Sequence, residues 1–373
     1  MGLHYDVAVV GGGIAGASVA ASLASEGSVL LLDMEEQLGR HSTGRSAALF
    51  IPSYGNADVR ALTAASRAFF YQPPVGFCEG ALVKPRSLLM VAGPARADEL
   101  NALIAGLAPG DSFERMTVAE AIALCPILRP EALSAAALSH RVADIEVHEL
   151  HQGYIRRLRR LGGQVLTEAM VTGLRRDGSC WRLETTKGDL TAATVVNAAG
   201  AWGGEIARLA GAQDVGLRPL RRTVCLFEPP AGAGSERWPM LADVSDRFYL
   251  KPDAGRLLLS PCDETPSIPM DAQPEELDIA IAIDRIEQAT TLSPRRVTHK
   301  WAGLRSFVSG RSPVIGFDAI QPGFFWHAAF GGFGIQTAPG AGSLAAALIQ
   351  GRPLDGELAA VDLAALSPRR FAG

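Results

Sequence analysis

The sequence predicts an α/β protein in which one layered α/β domain is interleaved with an α+β domain built on a mixed antiparallel sheet. Three observations predict it. Strand–glycine–helix corners occur near residues 11, 200 and 332, spread over the whole 373-residue chain. The first corner belongs to a compact β-α-β unit. Between the second and third corners, residues 216–310 alternate in polarity and carry much of the Pro and aromatic content, as antiparallel strands do. Corners so far apart require a discontinuous first domain. The expected division is 1–80, 149–215 and 311–373 for that domain, and 81–148 with 216–310 for the second.

In chain order, "DVAVV" (6–10) reads as a buried strand, "GGGIAGASVAASLASEG" as a glycine turn and an Ala-rich helix, and "SVLLLD" as a second strand ending on Asp33. Helical stretches follow near 57–70 and 96–107. "HELHQGYIRRLRRL" (148–161) reads as a helix stopped by Gly162-Gly163. Turn signals at Asp177-Gly178 and Lys187-Gly188 separate short strands. "ATVVNAAGAW" (193–202) is a buried strand entering a glycine turn, and "GFFWHAAFGGFGIQTAPGAGSLAAALIQG" is a strand, a glycine turn and a final helix.

Composition excludes several classes. Apolar residues make up 48% and charged residues 20%, as in soluble globular proteins. A net charge of −4 offers no basic excess for nucleic acid. Five cysteines without a CxxC pair argue against a disulfide framework or zinc site and for a reducing compartment. No apolar run spans a bilayer and no signal peptide precedes the first strand. The expectation is a cytoplasmic protein, at most peripheral to the inner face of a membrane. His148 and His151 stand at helical i, i+3 spacing beside Glu149, but no third ligand is evident. No metal is expected there, and that helix face, with Arg156, Arg157, Arg159 and Arg160, reads as solvated.

Gly11-x-Gly13-x-x-Gly16, between two strands and opening a helix, is the Rossmann-like dinucleotide signature. Gly11 allows the tight turn, Gly13 lets backbone approach a pyrophosphate, and Gly16 lets helix and strand pack closely. The helix N-terminus supplies N–H donors and positive potential to phosphates. Asp33, ending the second strand, can accept ribose hydroxyls. The polar stretch after it, "DMEEQLGRHSTGRSAALFIPSYG", favours FAD over NAD, because FAD needs a clasp along its pyrophosphate, ribityl chain and ring. His41, Ser42, Thr43, Gly44, Arg45, Ser46 and Ala47 offer such donors. "GGFGIQT" opens a helix whose dipole would stabilise negative charge on a reduced flavin.

The order GxGxxG, Asp33, "GRHSTGRSA", "VVNAAGAW", "AGLRSFVSGRSPVIG" and "GGFGIQT" resembles the D-amino-acid oxidase superfamily of FAD enzymes over the full length. This group includes glycine oxidase, sarcosine oxidase and flavin D-amino-acid dehydrogenases. "HSTGRSAA", "VRALTAASRAFF", "FYLKPDAG" and "WAGLRSFV" look most like the bacterial D-arginine dehydrogenase type. No Cys lies in the 331–336 stretch, so non-covalent FAD is expected. The motifs and the resemblance together imply that it is held by Gly11, Gly13, Ile14, Ala15, Gly16, Asp33, Met34, Ser42 through Leu49 (including Ala48), Val171, Ala199, Gly200, Trp202 and Arg305. Gly331, Gly332, Phe333, Gly334, Ile335 and Gln336 would line the flavin.

A carboxylate substrate calls for a guanidinium, whose fork matches it in two hydrogen bonds. Arg305, in the apolar setting "WAGLRSFV", and Arg222 are the candidates, although Arg221 is adjacent and only one of that pair is expected to face inward. By the resemblance, Tyr249 and Tyr54 bind or cover the substrate. The chain departs from cation-preferring relatives. Ser87-Leu88-Leu89-Met90 follows Pro85-Arg86 where they carry an acid, Leu49 replaces a His, and Ile51 is apolar. A pocket with Leu49, Ile51, Leu88 and Gly332 should favour apolar over cationic D-amino acids. The expected reaction is oxidative deamination to a 2-oxo acid and ammonia, with oxygen or a quinone as electron acceptor. The alternatives are a glycine- or sarcosine-type amine oxidase and a 2-hydroxy-acid dehydrogenase.

Overall fold

The computed structural model describes residues 3–107 and 113–372. Two sheets organise the chain. The first runs Val314–Phe317, Phe324–Ala328, Leu190–Asn197, Leu3–Val10, Val29–Leu32, Gln164–Leu166 in spatial order. Its central pairs are parallel, with Val7 opposite Val29 and Thr194, and Val314–Phe317 joins antiparallel at one edge. A hairpin, Val171–Asp177 with Cys180–Thr185, extends it. Parallel strands covered on both faces must be apolar throughout, and "VAVV" and "VLLL" are. Helices Ile14–Leu23, Val147–Arg160 and Gly334–Gln350 cover one face. Helix Gly203–Ala210 and the hairpin share the core of the other.

Small residues decide the helix packing. A Cβ on Gly16 would stand 1.8 Å from the Gly11 carbonyl oxygen, and one on Gly342 would meet Ser18 at 2.9 Å. The first and last helices therefore approach at backbone distance. Gly11 has φ 109°, and a Cβ there would lie 2.4 Å from the Ala198 oxygen. The first and second glycine corners thus touch across adjacent parallel strands.

The second sheet has ten strands drawn from residues 49–145 and 218–307. All its pairs are antiparallel except Met240–Asp243 with Val83–Ala92, which is the mixed sheet expected. One helix inside it, Glu276–Ala289, departs from the expected run of strands. "DIAIAI" alternates like a strand, yet the apolar residues that become buried are Ile279, Ala282 and Ile286, at helical spacing. Arg218–Phe227 pairs along its length with Val297–Phe307, placing Leu220 opposite Arg305 and Arg222 opposite Gly303. Strand alternation then sends Arg221 and Arg222 to opposite faces. Arg221 pairs with Glu275 and with Asp278 (2.9 Å), away from the cavity, while Arg222 lines it.

Candidate active site

A cleft of about 510 Å³ runs between the two sheets. At one end the three glycine corners converge: Gly11, Gly13, Ile14 and Ala15 of the first, Ala199 and Gly200 of the second, and Gly331, Gly332, Gly334 and Ile335 of the third all line it. Asp33, Met34, Val171 and Trp202 complete that end. Arg222, Tyr249 and Arg305 form the other.

The Asp33 carboxylate accepts from the N–H groups of Gly12 (2.6 Å) and Glu35 (2.8 Å). It fixes the turn while facing the cavity. Burial raises its pKa, and the two backbone donors oppose that by stabilising the anion. The Gly12 carbonyl accepts from Nε2 of His151 at 2.9 Å. His151 is 4% exposed, so it belongs to the glycine loop's support and not to the solvated face expected of it. Burial lowers its pKa, which keeps the ring neutral and one nitrogen available to donate.

The polar loop after Asp33 does clasp the cleft, but by a different division of labour. The Thr43 hydroxyl accepts from the Ile14 N–H at 2.9 Å and so caps the first helix. Ser42 Oγ donates to the Leu304 carbonyl at 2.5 Å. Arg45 donates to the carbonyls of Ala272 (2.9 Å) and Ala302 (3.0 Å) and pairs with Asp271, while its own carbonyl accepts from the Trp301 indole (3.0 Å). Ser42 and Arg45 therefore tie the nucleotide half to the strand that carries Arg305. Arg45, Ser46 and Ala47 line the cleft, as do His41 and Thr43.

Six residues expected on the cofactor do not line it. Gly16 is consumed in helix–strand packing, and Gly44 stands against the Gly39 carbonyl, where a Cβ would come within 2.8 Å. Ala48 occupies a turn at φ 41°, and Leu49 pairs into the second sheet opposite Asp144. Phe333 packs on Tyr54 (4.9 Å between rings) and on Phe307. Gln336 is buried between elements, accepting from Ile51 N (3.1 Å) and donating to Thr63 Oγ1 (2.9 Å).

At the substrate end, Arg305 has the Tyr54 and Tyr249 phenols and the Cys262 thiol as electrostatic neighbours. Burial acts to lower its pKa, but these neighbours together outweigh burial and raise it, and the guanidinium stays charged. Among the described residues no carboxylate forms a salt bridge with it. Arg222 differs: its Nε donates to the Asp263 carbonyl (2.8 Å) and its Nη2 sits 3.3 Å from Glu264. Arg222 is already matched to a carboxylate; Arg305 has the Tyr54 hydroxyl beside it and Asp246 farther off, and among the described residues no carboxylate within salt-bridge distance, which leaves its fork open to an incoming anion. The Tyr249 hydroxyl is buried without a hydrogen-bond partner, and burial raises its pKa, so it is a neutral donor awaiting an acceptor. Gly332 lies directly on Arg305; a Cβ would come within 2.7 Å of Nη1. Ile51 and Leu88 share one apolar cluster with Tyr249, Val224 and Leu258, and Leu49 and Tyr54 pack against it. Leu49, Ile51, Leu88 and Tyr54 stand behind the cleft wall rather than on it.

Sequence reasoning missed His151, Glu264 and His327. The first reads as one more polar residue on an Arg-rich helix. The second becomes a partner of Arg222 only through the sheet register. The third sits inside an aromatic strand, where a polar residue was the available signal.

The glycine cradles, the capped helix start and the unpartnered polar groups fit a large dinucleotide cofactor. Comparison with known proteins agrees. A family described as "DAO: FAD dependent oxidoreductase" matches residues 6–348. The structure of glycine oxidase from Geobacillus kaustophilus superposes with a TM-score of 0.83 at 23% identity over 100% of both chains. L-proline dehydrogenase from P. horikoshii does so at 0.84 and 19%, over 100% of this chain and 99% of that one. Among sequence relatives, mouse mitochondrial dimethylglycine dehydrogenase is 24% identical over 98% of this chain and 44% of its own length. Bovine FAD-dependent oxidoreductase domain-containing protein 1 is 27% identical over 48% of this chain and 39% of its own. The chain thus spans less than half the length of these curated relatives. The chain belongs to the DAO family of FAD-dependent oxidoreductases, and FAD is its cofactor.

Proposed function

We propose that this protein oxidises D-amino acids to 2-oxo acids and ammonia and favours apolar over cationic side chains, as a flavin D-amino-acid dehydrogenase or oxidase. The observation that carries this reading is Arg305, a cleft-facing guanidinium without a carboxylate partner among the described residues, beside the unsatisfied Tyr249 hydroxyl. Together they form a receptor for an α-carboxylate. FAD, when bound, supplies an acceptor for the hydride leaving the α-carbon.

The chain's own part is positioning and electrostatics. Arg305 holds both carboxylate oxygens, Tyr249 donates a further hydrogen bond, and Gly332 lets the guanidinium lie flat against the third glycine corner. Tyr54, behind the cleft wall, steadies the Arg305 guanidinium through its phenol. The substrate amine reacts in its neutral form, its proton passing to solvent. The Cα–H bond then breaks with its electron pair leaving as hydride while the nitrogen lone pair forms the C=N bond. Water adds to that imine and releases ammonia and the 2-oxo acid. The N-terminus of helix Gly334–Gln350 contributes positive potential where negative charge accumulates.

The apolar preference rests on Val224 and Tyr249, which line the cleft and are backed by Leu49, Ile51 and Leu88, and on the loss of the acid that cation-preferring relatives carry. A missing charge-assisted contact is worth about 1.5–3 kcal/mol. A second reading, oxidation of glycine or a secondary amine, draws support from the names of the glycine oxidase and dimethylglycine dehydrogenase similar to this chain. The same carboxylate clamp would serve it.

A steady-state panel separates these readings. It contains D- and L-amino acids, glycine, sarcosine, dimethylglycine, L-proline and 2-hydroxy acids, assayed with an artificial electron acceptor and with oxygen alone. D-Leu or D-Met should give the highest kcat/KM, well above D-Arg. A D-Arg preference would refute the apolar pocket, and a higher kcat/KM for the N-methylglycines would replace the D-amino-acid reading.

A further inference from the structure

His327 lies in strand Phe324–Ala328, is 0% exposed, and lines the cleft. Neither ring nitrogen has a hydrogen-bond partner. Its ring stands edge-on to Phe330 at 4.8 Å and close to the backbone of Ala15. It therefore sits where the starts of helices Ile14–Leu23 and Gly334–Gln350 face the cleft. A buried side chain whose two polar atoms close no full hydrogen bond, with only a weak approach to the Ala15 backbone, is rare unless a ligand completes it.

Two positive helix ends beside the ring disfavour a second proton. Burial acts in the same direction and takes the pKa down to about 3. The imidazole is thus neutral and presents one donor and one acceptor. A phosphate group at neutral pH only accepts and can satisfy half of that set. A hydroxyl both donates and accepts.

We propose that His327 binds the polyol chain of FAD, one ring nitrogen donating to a ribityl hydroxyl and the other accepting from one. The Thr43-capped helix start is left to the pyrophosphate, and His327 to the segment joining it to the ring. The assignment concerns the cofactor alone and holds whatever the substrate is.

The test uses the flavin-free protein and two probes, FAD and ADP; the latter carries the adenosine and pyrophosphate but no polyol. Binding of each is titrated calorimetrically for the wild type, His327→Leu and His327→Asn, and the Tm of each apoprotein is recorded. His327→Leu should weaken FAD binding about tenfold or more and leave ADP within about twofold. Its apoprotein Tm should hold or rise, since two unsatisfied polar atoms leave an apolar setting. His327→Asn, which keeps a donor and an acceptor on a shorter arm, should show a smaller loss, again confined to FAD. If Leu prevents folding, the Asn variant decides by the same selectivity. A parallel loss of ADP affinity would move the contact to the nucleotide half and overturn the proposal. FAD affinity unchanged in both variants would overturn it as well.

Discussion

Replacing Arg305 with Met removes the charge and the hydrogen-bonding fork while keeping an unbranched side chain of similar reach. Two charge-assisted hydrogen bonds to a carboxylate are worth about 1.5–3 kcal/mol each. The Tyr249 hydroxyl keeps one contact, and Arg305 is partly open to the cleft, so we take the low end, about 3 kcal/mol in total. That is a fall of about 150-fold in kcat/KM. The clamp acts on ground state and transition state alike, so most of the fall should appear in KM. FAD should stay bound, because the three glycine corners are untouched. Tm should not fall, because the lost group is a charge without a carboxylate partner among the described residues. The assay is steady-state kinetics on the best D-amino acid, with flavin content measured from the absorbance of the same preparation. A kcat/KM within threefold of wild type, with FAD bound, would remove Arg305 from the site.

Gly332→Ala tests the same clamp from its other side. Its Cβ would come within 2.7 Å of Arg305 Nη1, so the guanidinium must move, and kcat/KM should fall about ten- to a hundredfold with FAD content unchanged. Unaltered kinetics would show that the position of the guanidinium does not matter. The pH dependence of apoprotein stability follows from His327, whose pKa falls from an unfolded value of about 6.5 to about 3 on folding. Between those values the unfolded chain binds a proton that the folded one does not, so stability is full above about pH 6.5 and declines as pH drops, by up to about 1.4 kcal/mol per unit. Denaturant midpoints from pH 7 to 4.5 should show that slope in the wild type and a flatter one in His327→Leu; equal slopes would contradict it. Among the described residues no cysteine lines the cleft, and FAD should be released into the supernatant by acid precipitation. Flavin retained in the pellet would show a covalent link.

The parts of this molecule legible in the sequence are those where one local pattern admits one structure. "VAVV" followed by GxGxxG, and "GGFGIQT" followed by an Ala-rich run, each allow only a buried strand, a turn and a helix start. The convergence of the three corners was legible because each needs the others to cover its backbone groups. The loop at 39–47 was legible as a clasp but not in its wiring. A Ser or Thr hydroxyl serves a cofactor and a helix end equally well, and only the tertiary placement of Leu304 and Ile14 decides. Helix Glu276–Ala289 was hidden by "DIAIAI", whose alternation matches a strand until the packing partner is known. His151 and His327 could not be assigned from sequence, because whether a histidine meets solvent, a carbonyl or a ligand depends on what crosses above it. The matched state of Arg222 depends likewise on Glu264, 42 residues away and joined to it only through the sheet.

The most direct test of the account is anaerobic mixing of the purified, FAD-loaded protein with D-Leu or D-Met while the oxidised flavin absorbance is followed. The yellow band should bleach within the mixing experiment, Arg305→Met should slow this at low substrate concentration, and 2-oxo acid and ammonia should appear in equal amounts. A band that persists with every D-amino acid but bleaches with sarcosine, glycine or a 2-hydroxy acid would contradict it.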